Sequence, residues 1–527
     1  MKILISDKLP DVAVKILTSD PGVEVDNKPG LSPDELKSII GGYDGIIIRS
    51  GNKLTADILD RAARMKVIAR AGVGVDNVDV KAASRKGIIV MNTPGGNTTS
   101  TAEHTFAMIL ALARSIPRAC SSLKGGEWDR KSFVGTQLSG KTIGIIGLGR
   151  IGMEVAKRSL AFEMTVIGFD PYVSPEKAAQ VGIELVGLDA IWERADFITV
   201  HTPMTDETRG LIGAKEFAKM KKGVRIINCA RGGIVDEDAL ADALAAGKVA
   251  GAALDVYSSE PPTNRRLVEM PQVVATPHLG ASTEEAQITV ATDAARQLLD
   301  ALMGRGVRFA VNLPGIDPQE AKVLEPYLGL AETIGSLLRQ LGEGQLKAVR
   351  VRYTGELAKL NVMAVTRSLT AGLLKPVLEE NVTLVNAPVL AEERGVTITE
   401  SRSSAAGDFT TTIMAEMDTT DQGTQVVEGT LFGRRDARIV NINGYHVEVI
   451  PRGDMLVIMN QDRPGLIGDI GRIMGGGGVN ISSMTFGRRE AGGDAMTVLN
   501  LDAKPPQSLL DQVRKVGNVH ALVVIQL

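Results

Sequence analysis

Arg231, Glu260 and His278 are residue types that can handle a carboxylate, a proton and a developing oxyanion. All three lie downstream of the loop Gly147-Leu148-Gly149-Arg150-Ile151-Gly152. An imidazole titrates near neutrality and can take a hydroxyl proton or return it. A carboxylate can hold one ring nitrogen, and a guanidinium offers a planar fork to a carboxylate or a carbonyl oxygen. An apolar run over 142–146 precedes the loop and a helix-forming stretch over 153–158 follows it. Strand, Gly-rich turn and helix is the context in which G-x-G-x-x-G cradles a dinucleotide. Gly147, Gly149 and Gly152 serve the turn, while Arg150 and Ile151 open a helix whose amides face the pyrophosphate. The next strand, 165–169, ends at Asp170, an acid suited to the ribose hydroxyls of NAD and repulsive to the 2′-phosphate of NADP. A hydride carrier followed by Arg, Glu and His points to a dehydrogenase.

The elements that must position these groups are legible in the same way. Short apolar runs at 3–5, 46–48, 67–69 and 88–90 read as parallel strands without a phosphate-binding fingerprint. A loop carrying Asn97 and a long helix over about 100–114 follow. Further strands at 197–200, 224–228, 250–254 and 273–275 place His201, Thr202, Cys229, Ala230, Arg231 and Asp255 at strand ends along one edge of the sheet. A helix from 283 to about 302 is expected to return to the first domain, making that domain discontinuous. Past Asn312-Leu313-Pro314-Gly315 the pattern becomes α+β, with alternating strands at 349–353, 410–417 and 425–432 and a hairpin turning at Asn443-Gly444. The tail reads strand 455–459, helix 466–474 broken by Gly475–Gly478, strands 479–488 and 495–503, helix 508–516 and strand 521–526. That βαββαβ order is ferredoxin-like, and the tail is expected to be a separate unit.

Composition bounds the partners. The chain has 527 residues, too many for one ordinary core. It is 44% apolar and 23% charged, with a formal charge of −3 and only 3% aromatic residues. This is globular composition with neither the basic field nor the stacking groups of a nucleic-acid binder. Cys120 and Cys229 are too few for a disulfide framework, and Cys229 reads as a small buried residue. With no signal-peptide core, no bilayer-length apolar run and no metal-ligand spacing, the expectation is a cytoplasmic protein without membrane, nucleic acid or metal.

Four segments carry a resemblance. Gly147-x-Gly149-x-x-Gly152, Asn228-Cys229-Ala230-Arg231-Gly232-Gly233-Ile234-Val235-Asp236, Ala253-Leu254-Asp255-Val256-Tyr257-x-x-Glu260-Pro261 and Pro277-His278-Leu279-Gly280 resemble the signatures of the D-isomer-specific 2-hydroxyacid dehydrogenases. Arg70-Ala71-Gly72-Val73-Gly74-Val75-Asp76-Asn77-Val78-Asp79 and Asn92-Thr93-Pro94 narrow this to the phosphoglycerate-oxidising branch. The tail is similar to an ACT domain, and the middle insert to the extra domain of the long forms. The implied fold is α/β: a discontinuous substrate domain (1–97 and 283–312) and a Rossmann-type NAD domain (98–282). An α+β intervening regulatory domain (315–450) and a ferredoxin-like ACT domain (453–527) follow.

The resemblance also implies roles. His278 and Glu260 become the acid–base pair, and Arg231 the holder of the substrate carboxylate. A lone histidine after Pro277 would otherwise be an ordinary loop residue. Asp255 would contact the nicotinamide amide. Arg49, Arg70, Val73, Gly74 and Asn97 would contact 3-phospho-D-glycerate, with Ala71–Gly74 presenting bare amides as an anion nest. Arg130 and Lys131 would complete the phosphate site from a neighbouring subunit of a homodimer or homotetramer, although charge runs are usually solvated faces. Asn460, Asp462 and Asn480 would bind an amino-acid effector, L-serine, although Asx capping of a turn explains either acid or amide alone. Two other readings stay open: a glyoxylate or hydroxypyruvate reductase, and a non-enzymatic NAD-sensing interaction protein.

Overall fold

Runs of isoleucine, valine and leucine too short for helices become strands buried on both faces, and these build the first two of four sheets. The computed structural model describes residues 1–315, 318–379, 381–405, 408–421 and 423–527. Strands β1 (Lys2–Ile5), β2 (Glu24–Asn27), β3 (Gly45–Ile48), β4 (Val67–Arg70) and β5 (Ile89–Met91) form a parallel sheet in the order β2-β1-β3-β4-β5. Helix Glu284–Leu302, capped by the Thr283 side chain, lays Val290, Ala294 and Leu298 against Ile3, Ile5 and Ala69 of this sheet. The returning helix thus packs where the sequence placed it.

The second sheet comprises β6 (Thr142–Ile146), β7 (Thr165–Phe169), β8 (Glu184–Leu185), β9 (Phe197–Val200), β10 (Val224–Asn228), β11 (Val249–Leu254) and β12 (Val273–Ala275). All are parallel, in the order β12-β11-β10-β9-β6-β7-β8. The order reverses between β6 and β9, and ligands of such sheets bind outside the carboxyl ends of the strands at that switch point. Helix Thr98–Arg114 covers one face, with Ala102, Phe106 and Ile109 on Ile145, Ile227 and Ala253. A second helix, Ile116–Lys124, buries nothing, and the loop after it leaves Trp128 and Val134 about four-fifths exposed.

The third sheet holds β13 (Leu346–Thr354), β14 (Thr397–Ser403), β15 (Ile413–Thr419), β16 (Thr424–Phe432), β17 (Asp436–Ile442) and β18 (Tyr445–Val449). Asn443 and Gly444 both have positive φ, as the hairpin signal requires. Helices Pro318–Leu341 and Met363–Leu374 cover one face. The fourth sheet, β19 (Asp454–Gln461), β20 (Ile481–Arg488), β21 (Asp494–Leu501) and β22 (Val519–Gln526), is antiparallel in the order β20-β21-β19-β22, the ferredoxin-like plan.

One expectation needs correction here. The helix of the tail, Leu466–Gly476, continues through the first two of the four glycines and ends only at Gly477, because Gly478 supplies the positive φ that stops it. The tail's sheet also packs against the region before it. Leu456 and Ile458 face its own helices, but Met455, Val457, Met496, Val498 and Ile525 join one core with Leu337, Leu338, Leu341, Val447 and Val449 of the preceding region. Gln340 donates to the Gln526 carbonyl at 2.9 Å and accepts from its amide at 2.9 Å. Among the described residues, this C-terminal half meets the first sheet's unit at Arg85–Glu393 (3.3 Å), Asn386 to the Arg85 carbonyl (3.4 Å) and Arg367 to the Asn312 carbonyl (2.8 Å), with Thr383 beside Gly87. No single described helix is long and apolar enough to cross a membrane.

Candidate active site

At the switch point the backbone itself excludes side chains. Gly147 has φ +93°, and a Cβ there would come within 2.6 Å of the His201 carbonyl. A Cβ on Gly152 would lie 2.0 Å from the Gly147 carbonyl, whereas Gly149 faces open space. The three glycines therefore do different work: two let loop, strand end and helix Arg150–Ala161 close up, and one leaves room above them. Asp170 is locked at the end of β7, accepting from the Leu148 amide at 2.8 Å and the Tyr172 amide at 2.8 Å. The Thr202 hydroxyl is buried with no partner among the described residues. Next to it, burial holds His201 neutral, its pKa pushed down to about 4, with Thr199 3.0 Å from its Nε2. A free hydroxyl, an open glycine and a helix N-terminus along one strand edge fit a dinucleotide. Cys229 is buried beside them, and burial followed by the nearby Asp255 charge pushes its thiol up to about 12, so it is inert.

The His278 Nδ1 stands 2.8 Å from Glu260 Oε2. Both side chains remain more than two-fifths exposed, so the Nε2 edge of the ring is open to a reactant. Asp255 sits just past the end of β11. It is fully buried, and its two oxygens are taken by the Thr276 hydroxyl (2.6 Å), the Leu279 amide (2.7 Å), the Gly280 amide (2.8 Å) and His104 (3.2 Å). Burial alone would raise its pKa, but the hydrogen bonds from His104, Thr276 and the Leu279 amide outweigh it and hold the carboxyl below its ordinary range. Most of these contacts fall on Oδ1 and only the Gly280 amide reaches Oδ2, so Asp255 ties down the turn that carries His278.

Arg231 crosses to the first sheet's unit. Its Nε donates to Asp76 at 2.9 Å and its Nη1 to the Ala230 carbonyl at 2.7 Å. A Cβ on Gly74 would lie 1.8 Å from Arg231 Nη2, so only glycine lets the fork lie on this loop. Arg70 stands alongside, with its Nε buried and unpartnered among the described residues. Burial, then the neighbouring Arg231 and Arg49 guanidiniums, push Arg70 down to about 10. Three cations gathered at this cleft edge want an anion. The expected nest is narrower than Ala71–Gly74, because the Ala71 and Gly72 amides already donate to Ile48 (2.8 Å) and Arg70 (2.9 Å) carbonyls. Val73 and Gly74 have no backbone acceptor among the described residues. Asn97 precedes helix Thr98–Arg114 without capping it, and its Oδ1 is buried and unpartnered.

The remaining expected residues stand apart. Arg130 and Lys131 lie on the exposed loop after Lys124 and touch no other residue of the cleft. In the tail, Asn460 is buried and accepts from Thr497 at 2.9 Å, Asp462 pairs with Arg488 at 2.8 Å, and Asn480 donates to Asp502 at 2.6 Å. Arg488, then the Gly492 amide, hold the Asp462 carboxyl below its usual range. Asp76 stands in the Arg70–Asp79 segment without a role of its own, His104 reads from sequence as structural, and Thr276 was missed; the Arg231–Asp76 and His104–Asp255 contacts span more than a hundred positions.

An imidazole–carboxylate pair and a guanidinium fork sharing one cleft with a dinucleotide loop suit hydride transfer at a carbon bearing a hydroxyl next to a carboxylate. Known sequences agree. The NAD binding domain of the D-isomer specific 2-hydroxyacid dehydrogenases matches residues 106–280, the D-3-phosphoglycerate dehydrogenase intervening domain matches 323–443 and the ACT domain matches 455–518. A D-3-phosphoglycerate dehydrogenase of Methanocaldococcus jannaschii is 43% identical over the whole of both chains. One from Bacillus subtilis is 43% identical over all of this chain and 99% of its own. The solved glyoxylate reductase of Paecilomyes thermophila is 30% identical with a TM-score of 0.55, covering 59% of this chain and 98% of that one. The chain belongs to the D-3-phosphoglycerate dehydrogenase family, a long form with an intervening and an ACT domain, and NAD is its cofactor.

Proposed function

We propose that this chain oxidises 3-phospho-D-glycerate to 3-phosphohydroxypyruvate, the entry to L-serine synthesis in a cytoplasmic setting, and that its ACT domain binds L-serine as a brake. NAD, when bound, accepts the hydride from C2. Glu260 occupies Nδ1 of His278, which leaves Nε2 to take the C2 hydroxyl proton and return it in reduction. Arg231, fixed through its Nε by Asp76, turns its Nη2 edge toward the substrate carboxylate and the forming carbonyl. Arg70 and Arg49, with the Val73 and Gly74 amides and Asn97, supply the remaining anion contacts. The observation that carries the substrate is the gathering of three arginines, one of them buried with an unpartnered Nε, at a cleft for a small acid. The exposed arm at 116–134 is where a second copy docks, which brings Arg130 and Lys131 to its neighbour's phosphate site.

The test is reduction followed by NADH absorbance. Phosphohydroxypyruvate should exceed hydroxypyruvate and glyoxylate in kcat/KM, and Arg49→Ala should raise KM for the phosphorylated substrate more than for hydroxypyruvate. Equal or better turnover of glyoxylate would overturn the substrate assignment, and no turnover of any oxo acid would overturn the enzyme.

A further inference from the structure

Behind the Glu260–His278 pair stands a second imidazole–carboxylate pair, His104 with Asp255, for which the chemistry above has no use. We propose that His104 is a positioning residue for His278, acting through the Asp255 carboxylate and the turn that carboxylate organises. The inference rests on His278 being the proton-transferring group.

The Nε2 of His104 lies 3.2 Å from Asp255 Oδ1 and 3.3 Å from Thr276 Oγ1. The Thr276 hydroxyl already donates to the same carboxylate oxygen at 2.6 Å. An imidazole nitrogen facing a carboxylate and an oxygen whose hydrogen is committed must carry a hydrogen itself, so His104 donates. Asp255 is fully buried, and a buried carboxylate is tolerated only when its lone pairs are answered. Two of the answering donors, the Leu279 and Gly280 amides, are the residues immediately after His278. The His278 amide donates to the Asp255 carbonyl at 2.9 Å. Asp255 therefore grips the turn with both its backbone and its side chain.

That grip matters because His278 has φ +55°, in the left-handed region that residues with a Cβ avoid. Such a conformation persists only where its surroundings over-determine it. The first turns of helix Thr98–Arg114 add to the hold. Ser100 Oγ is 2.7 Å from Thr283 Oγ1, and Thr101 packs 3.4 Å from where a Cβ on Gly280 would stand. The same helix begins at Asn97 on the cationic side of the cleft. One rigid element thus fixes the turn of the base, and His104 is its polar link to that turn.

The experiment compares His104→Gln, which keeps an N–H donor, with His104→Leu, which does not. His104→Leu should lower kcat by about tenfold to a hundredfold, as a base displaced by a fraction of an ångström would. KM for phosphohydroxypyruvate and the Kd for NADH should hardly move, because Arg70, Arg231 and the Gly147 loop do not hang on this turn. His104→Gln should stay within about threefold of the parent kcat, since its amide can replace the donor. Equal losses in the two variants, or a change in KM with kcat untouched, would overturn the proposal. Should His104→Leu fail to fold, His104→Leu/Asp255→Asn leaves no buried charge unpaired and is measured against Asp255→Asn alone. Matching kcat supports the coupling, and a further tenfold loss refutes it. A His278→Ala variant with parent kcat would instead remove the base itself.

Discussion

The residues around the cleft and the expected effector residues of the tail treat their polar groups in opposite ways. Around the cleft, Arg70 Nε, Asn97 Oδ1 and the Thr202 hydroxyl are buried without a partner among the described residues. Each forgoes hydrogen bonds worth about 1–3 kcal/mol, a cost that ligand contacts can offset. In the tail, Asn460, Asp462 and Asn480 are each satisfied within the chain by Thr497, Arg488 and Asp502. The first arrangement is a site organised ahead of its ligand. The second must exchange internal partners for the ligand's, or be completed by another copy. Preorganisation suits a transition state, which needs donors in place before charge develops. A sensor has the other requirement, since an effector acts only through a difference in affinity between two states.

The largest effect that can break this comparison is expected at His278. His278→Ala should lower kcat by about 10²–10⁴ while NADH still binds, because in the proposed reaction the ring moves the proton and the Gly147 loop carries most of the cofactor contacts. A fluorescence titration of NADH beside steady-state rates reads both, and parent kcat would remove the preorganised base. Gly74→Ala is next. Its Cβ would meet Arg231 Nη2 at 1.8 Å and Asp76 Oδ2 at 2.6 Å, so the fork must move. We expect about a hundredfold loss in kcat/KM, carried by the oxo acid and not by NADH. An unchanged value would show that the fork is not held as the structure has it.

A smaller effect sharpens the sensor side. If serine's ammonium group takes Asp462, it must displace Arg488, whose guanidinium is 2.8 Å away. Asp462→Ala should abolish serine inhibition with uninhibited kcat unchanged. Arg488→Ala, which releases the carboxylate, should lower the half-inhibiting serine concentration by several-fold, since an exposed pair contributes about 0–1 kcal/mol. A serine titration of both variants decides it. Weaker inhibition in Arg488→Ala would mean the arginine itself holds the effector.

The sequence shows the two halves unequally, for physical reasons. Strands Thr165–Phe169, Phe197–Val200 and Val224–Asn228 were legible to the residue, because a strand buried on both faces is a continuous apolar run with polar ends. The edge strands Glu24–Asn27 and Glu184–Leu185 were not, since an edge bears charges and loses the pattern. Helix Pro318–Leu341 hid behind Pro326 inside it. The merging of the tail with the intervening region did leave a sign. Met455-Leu456-Val457-Ile458-Met459 has no polar face, which a sheet with one open side would need. The Arg231–Asp76 and His104–Asp255 contacts join residues more than a hundred positions apart, and only the fold reveals them.

The smallest expected effect concerns a glycine of the tail's helix that, unlike Gly74 and Gly152 at the cleft, has room for a side chain. Near the cleft, a Cβ on Gly152 or Gly74 collides with backbone or guanidinium atoms. Within helix Leu466–Gly476, a Cβ on Gly471 meets nothing within 4 Å. Glycine in a helix interior costs about 1 kcal/mol relative to alanine, through the extra freedom it gives the unfolded chain. Gly471→Ala should therefore stabilise this helix by about that amount. In a chain of several domains, a single melting temperature does not isolate one helix. Amide hydrogen exchange over 466–476 would, slowing by about fivefold for 1 kcal/mol of added local stability. Faster exchange would mean that this face of the helix meets another surface in solution, and that the tail, like the cleft, uses its glycines to let something come close.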